Sequence, residues 1–444
     1  MPDSDSLWPF LPGRSTLRIV AAKGATLVSD DGREILDLAG GAITVNVGHG
    51  RREVAQALAD EAENLTYVVP PWATPSRERL VARLRRDWLP PSLTRAYFAS
   101  GGSEANETAL KVAIQHFAAR GESGRSKIIG RELSYHGTTL TTTGLGGHAA
   151  RRIGLESVLQ DYPRAPTPYP LRPPAGVAAK DLGRHYADAL EAVIRHEGPA
   201  TVAAVMAEPI VGSSGGALVP PADYWPRIRK ICDHYGVLLI FDEVMTGFGR
   251  TGRRFASEYW DVCPDLLVAG KGLAGGYAPI GGLFATEHVL APIADTGGEV
   301  MFHTFGAHPA ACAAADRVLD ILTREQLVER SATLGSGLAD MLADAFQDHP
   351  HVAETRGRGL LQAIEVVADR ANLAPFPAAA GLTRRIVAAG LERGVYFYWG
   401  GTGDIRDIVC LGPPFTVTEA ELRRGVAVLR ESVDAAIAAY RAER

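Results

Sequence analysis

Leu266-Leu267-Val268-Ala269-Gly270-Lys271-Gly272-Leu273 is an apolar run that ends in a single cation flanked by glycines. A similar run, Val237-Leu238-Leu239-Ile240-Phe241-Asp242-Glu243-Val244, ends in a carboxylate. Short apolar runs bounded by Gly or charge predict strands buried on both faces, the kind a parallel sheet uses. Tyr97-Phe98, Ile128-Ile129 and Val202 to Met206 are further strand candidates, and helical patterns separate them all. The class expected is therefore α/β, a mostly parallel sheet covered on both faces. A lysine ending such a strand is either exposed by accident or placed for covalent chemistry. Asp242 favours the second reading, because an amine able to form a Schiff base and a carboxylate able to hold a pyridinium nitrogen imply a cofactor between the two strand ends.

Outward from this pair the chain divides. Val20 to Leu38 reads as short strands broken at Asp30-Asp31-Gly32, a hairpin turn. Between Arg51 and Leu65, apolar residues recur at helical spacing, Val54, Ala55, Leu58, Ala59, Ala62 and Leu65. Tyr162 to Gly176 holds prolines at 163, 166, 168, 170, 173 and 174, which predicts a surface loop without regular structure. A long helix is expected from about Ala307 through Leu322, and helices and short strands of a second lobe from about Ser331 onward. The expected division is 1–65 as an N-terminal segment packing with the small domain, 66–330 as the large domain and 331–444 as a smaller α+β domain. The stretch before about Arg18, rich in Pro, Gly and Ser, reads as an arm lying over another part of the molecule.

At 444 residues the chain exceeds one ordinary core. A net charge of −5 leaves no basic surplus for nucleic acid and no polybasic membrane patch, so small-molecule chemistry is expected. The N-terminal residues are acidic with no apolar leader, and no later run is long enough to span a bilayer, so the expected location is cytoplasmic. Cys232, Cys263, Cys312 and Cys410 are scattered without CxxC pairing, which predicts reduced thiols rather than a metal site or disulfides.

Three further stretches carry candidate site residues. Tyr97-Phe98-Ala99-Ser100-Gly101-Gly102-Ser103-Glu104 passes from a strand through two glycines into a helix, where free N–H groups suit an anion. Taken alone, a Gly-rich turn with a Ser cap is the plainer reading. It matches neither the P-loop nor the dinucleotide fingerprint. Tyr135, in Leu133-Ser134-Tyr135-His136-Gly137, follows the next strand and is placed to stack on a flat ring, with ordinary loop packing as the alternative. His136 reads as structural more readily than catalytic. Glu208 ends another strand and is either paired with a buried cation or solvated. Val244, two residues past Asp242, emerges on the same side and is placed to press on the opposite ring face.

These stretches, together with Asp242-Glu243-Val244-Met245-Thr246-Gly247-Phe248-Gly249-Arg250-Thr251-Gly252 and His303-Thr304-Phe305, resemble the class III pyridoxal-phosphate-dependent aminotransferases from about Val20 to Phe415. The resemblance implies fold type I, pyridoxal 5'-phosphate as cofactor and a homodimer with shared sites. It implies Lys271 as the covalent cofactor lysine and proton shuttle, Asp242 as the pyridinium partner, and Tyr135 and Val244 on the ring faces. Gly102 and Ser103 would bind the phosphate, with Thr304 reaching the neighbouring subunit's phosphate and His136 and Glu208 also beside the cofactor. A ping-pong transfer from an amine to a keto acid follows.

The acid that follows Glu-Pro in ornithine-type members is missing, since Glu208-Pro209-Ile210-Val211-Gly212 continues as Ser213-Ser214-Gly215-Gly216, and Met245 stands where those members often carry Gln. Both departures resemble the omega-amine and amine:pyruvate branch. Arg406, which no acid in the sequence is expected to neutralise, is the candidate mobile arginine for a substrate carboxylate, and an exposed loop arginine is the alternative. Trp72, Phe302, Tyr398 and Trp399 are candidates for an apolar pocket beside it, or for ordinary core or interface packing. The rival functions are an aminomutase or racemase on the same cofactor and, remotely, a catalytically silent binding protein.

Overall fold

The computed structural model describes residues 17–297 and 302–443; the arm expected before Arg18 lies almost wholly outside these. Strands β1 (Ile19–Lys23), β2 (Thr26–Ser29) and β3 (Glu34–Asp37) form an antiparallel meander, with Gly32 at φ +83° in the turn expected there. The central sheet follows: β4 (Leu93–Ala99), β5 (Lys127–Arg131), β6 (Arg164–Ala165), β7 (Val202–Ala207), β8 (Leu238–Asp242), β9 (Leu266–Ala269) and β10 (Gly281–Thr286). Its order is β4-β10-β9-β8-β7-β5-β6, parallel from β9 through β6, while β10 runs antiparallel to both of its neighbours.

Alternation along β8 shows why this sheet is covered twice. Leu238 and Ile240 pack with Ala105, Ala109, Val112 and Phe117 of the helix Gly102–Ala119. Leu239 and Phe241 point the other way, into a core with the helices Leu182–Glu197 and Tyr224–Tyr235. Every residue of β7, β8 and β9 is buried.

The remaining strands are β11 (Val352–Arg358), β12 (Leu361–Val366), β13 (Val395–Tyr396), β14 (Tyr398–Thr402) and β15 (Ile405–Leu411). Four of them make a sheet ordered β11-β12-β15-β14, and β13 instead pairs in parallel with β3, joining the two ends of the chain. The helix Arg52–Asn64 packs against the helix Pro309–Arg324, both close to where the sequence puts them.

Two strands depart from expectation. β6 lies inside the proline-rich loop, because an edge strand needs acceptors on one side only: the Pro163 carbonyl accepts from Gly130 N–H and the Ala165 carbonyl from Glu132 N–H. β10 was hidden by its opening Gly281-Gly282. A Cβ at Gly281 would lie 2.4 Å from the Gly101 carbonyl oxygen, so the glycine permits a close approach that β propensity would not suggest.

The parallel register places the chemistry. Asp242 is aligned with Val268 and Phe241 with Ala207, so Asp242, Glu208 just past β7 and Lys271 just past β9 leave the sheet at one edge.

Candidate active site

A cavity of about 520 Å³ opens at that edge. Lys271, Asp242 and Glu208 line it from the strand ends; Gly102 and Ser103 from the start of the helix Gly102–Ala119; and Tyr135, His136 and Val244 from the loops between.

Asp242 is held by three donors. Its Oδ2 meets His136 Nδ1 at 2.8 Å and accepts from Asn106 Nδ2 at 2.8 Å, and its Oδ1 accepts from Val244 N–H at 3.0 Å. Asn106 Nδ2 also donates to the His136 carbonyl at 2.6 Å, so one amide fixes both the acid and the loop carrying Tyr135. A carboxylate this enclosed has its direction set before any ligand arrives.

Lys271 opens a short 3₁₀ turn at φ +40°, a conformation that L residues rarely adopt. Its side chain reaches the cavity while protein surrounds the amine, and burial pulls its pKa down to about 8 against the opposing fields of Asp242 and Glu208. Glu208 is a brace: Oε2 accepts from Tyr135 N–H at 3.2 Å and Oε1 from Gly212 N–H at 2.9 Å. Burial raises its carboxyl above the usual range, which the His136 ring nearby partly offsets.

The cavity fits a flat phosphorylated pyridine. Tyr135 and Val244 both face it, and its floor carries an amine and a fixed carboxylate. The N-terminal cradle depends on glycine. A Cβ at Gly102 would lie 3.0 Å from Val244 Cγ1, and one at Gly137, where φ is +139°, would lie 2.5 Å from Ser103 Oγ.

Six sequence candidates stand elsewhere. Thr304, Phe302 and Trp72 are exposed, the last by 66%. Trp399 stacks on Tyr398 with centroids 5.1 Å apart, and neither is among the lining residues. Arg406 also lies off the wall, donating to the carbonyls of Gly403 at 2.9 Å and Phe376 at 2.8 Å. Contrary to expectation it is neutralised in place, by Asp404 at 3.0 Å.

Sequence reasoning gave Asn106 no role, although an amide on the apolar face of a helix required a partner. Thr44, Ser213 and Ile280 also line the cavity from loops whose contacts no local pattern reveals.

The model of the aminotransferase class-III family matches residues 12–433. The taurine–pyruvate aminotransferase of Rhodobacter capsulatus is 34% identical over 433 residues, covering 94% of this chain and 90% of that one. An omega-aminotransferase of Caulobacter vibrioides is 33% identical over 444 residues, 96% of this chain and 97% of the relative. The omega transaminase of Pseudomonas jessenii in complex with PMP superposes with a TM-score of 0.91 at 31% identity, covering 97% of this chain and 96% of that one. The fold and site thus define a pyridoxal-phosphate-dependent transferase of fold type I. This chain belongs to the class III aminotransferase family, in its omega-aminotransferase branch.

Proposed function

We propose that this enzyme moves an amino group from an amine or omega-amino acid to a keto acid such as pyruvate, in two half-reactions that share one cavity in ping-pong order. The observation that carries the reading is an amine, Lys271, sharing one cavity with a carboxylate, Asp242, that His136 and Asn106 lock in place. Lys271 would bond the cofactor and Asp242 would hold its ring nitrogen. Tyr135 and Val244 would flank the ring, while Gly102 and Ser103 would take its phosphate at the helix N-terminus. When bound, pyridoxal phosphate supplies an electron sink for the charge left as a substrate C–H proton departs.

Lys271 Nζ moves that proton. With its pKa near 8, an appreciable share is neutral at physiological pH, able to take a proton from the substrate carbon as a base and, once protonated, to deliver it to the cofactor carbon that would receive it. Asp242 supplies a fixed negative charge, and Glu208 keeps Tyr135 seated through its N–H. Ile210, Met245 and Ile280 give the remaining wall an apolar character that suits the body of an amine donor. The working unit is read as a homodimer in which Thr304 serves the neighbouring site; the exposed aromatic surface around it supports this.

Borohydride reduction of the holoenzyme followed by peptide mapping should find the cofactor on Lys271, and Lys271→Ala should lose both the link and turnover. Reduced cofactor on another lysine would sink the assignment. Donor given without a keto acid should yield one equivalent of product per site and then stall. Continued turnover without an acceptor would favour the aminomutase or racemase reading.

A further inference from the structure

Lys271 sits at φ +40°, a backbone setting that its surroundings must maintain. The carbonyls that follow one another through its turn are each held. That of Gly270 accepts from Leu273 N–H at 2.8 Å and that of Lys271 from Gly275 N–H at 2.9 Å, both bonds belonging to the turn itself. The Gly272 carbonyl is held from outside, by Asn46 Nδ2 at 2.8 Å, a side chain 226 positions away in the chain.

Asn46 is itself rigidly mounted. It is 1% exposed, and its Oδ1 accepts from Val47 N–H at 2.8 Å, which turns the NH2 of the amide toward Gly272. Its backbone is pinned as well: Phe415 N–H donates to the Asn46 carbonyl at 2.7 Å, and Arg250 Nη2 to that of Val45 at 2.9 Å. The lysine turn admits this amide through its glycines. A Cβ at Gly272 would lie 3.1 Å from Asn46 Nδ2, and one at Gly275, where φ is +59°, would lie 2.6 Å from Asn46 Oδ1. A fixed amide seated this tightly sets the path of the chain as it leaves Lys271.

We propose that Asn46 is a positioning residue for Lys271, clamping the strained turn so that the amine is aimed at the cofactor aldehyde. The inference rests on the reading above that Lys271 bonds the cofactor. In that step the neutral amine adds to the aldehyde carbon, a C=N bond forms and the aldehyde oxygen leaves as water, so the rate depends on the aim of the amine. Without the clamp the turn keeps only its own short-range bonds, and the positive φ is free to relax toward settings that L residues prefer. The groups that would hold the ring are braced separately, by Asn106, His136 and Glu208, so loss of the Asn46 amide should spare noncovalent binding.

The full-length enzyme freed of cofactor tests this, as the wild type, as Asn46→Leu, which keeps the branched shape without the donor, and as Asn46→Ala. Two quantities are compared. One is the affinity for pyridoxamine phosphate, which fills the cavity without bonding Lys271; the other is the rate at which pyridoxal phosphate becomes fixable on Lys271 by borohydride. Both variants should bind pyridoxamine phosphate as the wild type does, and form the covalent link on the order of tenfold more slowly, the loss expected for one hydrogen bond. The slowing should persist at about pH 9.5, where an amine with a pKa near 8 is almost wholly neutral, because its aim and not its charge has changed. Equal loss of both quantities, from misfolding or a damaged cavity, would make Asn46 a general support and overturn the proposal. So would an unchanged rate of linking, or a slowing that vanishes at high pH. A wild type in which borohydride fixes no cofactor on Lys271 would instead bring down the reading of that lysine, and this inference with it.

Discussion

Lys271 shows what a reactive amine costs its own fold. Burial lowers its pKa from 10.5 to about 8, so the cofactor-free native state sheds a proton that the unfolded chain still holds. Below about pH 8 both states are protonated, and the native state bears the full penalty, roughly 3 kcal/mol for a shift of this size. Between the two pKa values the unfolded state binds more protons, so stability rises with pH, and above the unfolded value the penalty is gone. In cofactor-free protein, Lys271→Met should therefore gain stability over the wild type by a few kcal/mol at about pH 7 and by much less at about pH 10. Urea unfolding of both proteins at the two pH values checks this. A difference that does not change with pH would mean that the amine is not desolvated.

At the scale of elements, the second sheet holds a loop of the first. Arg356 on β11 donates Nε to the Gly216 carbonyl at 2.8 Å and Nη2 to that of Gly215 at 2.7 Å, while its Nη1 meets Glu365 on β12 at 2.7 Å. The loop it grips begins at Glu208 and includes Ser213, both of which line the cavity. Burial alone would raise the Glu365 carboxyl, yet Arg356 and the Tyr169 hydroxyl outweigh it and hold the group below its usual range. Removing Arg356 leaves that acid to Arg172 and the Tyr169 hydroxyl but strands the carbonyls of Gly215 and Gly216, so Arg356→Met should cost about 1–3 kcal/mol in urea unfolding. A loss below about 1 kcal/mol, the scale of an exposed pair, would show that the network is dispensable.

None of this network was legible in sequence, whereas β4, β5, β7, β8 and β9 were. Those strands announce themselves by local composition, and the edge at which Lys271, Asp242 and Tyr135 gather follows from parallel order. Arg356 donates to loop carbonyls 140 and 141 positions away in the chain, contacts that no periodicity encodes. The surroundings of Arg406 were no more legible: its tie to the Phe376 carbonyl across 30 residues is a product of tertiary packing.

At the scale of the whole molecule, one surface gathers exposed aromatic and apolar side chains. Tyr67, Val69, Trp72, Phe302 and Phe305 are all exposed, with Tyr67 edge-on to Phe305 at 6.2 Å and Thr304 among them. This patch is built to hold its shape. The buried Arg77 donates to the carbonyls of Val68 at 2.9 Å, Val69 at 3.1 Å and Trp72 on one side, and to that of Ala307 at 2.6 Å on the other. Spending a buried guanidinium to fix two aromatic segments in water would gain nothing by itself, and apolar surface of this kind marks an interface. A second copy of the chain is the occupant we expect, related by a two-fold axis that makes both sites equivalent. Sedimentation velocity at assay concentration should then find a dimer. Trp72→Glu combined with Phe305→Glu should weaken association by about thirtyfold or more, the effect of losing roughly 2 kcal/mol at a central aromatic contact. Activity should fall on dilution in step with dissociation, because Thr304 would leave the neighbouring phosphate. A wild-type monomer with full activity at the same concentration would rule out a shared site.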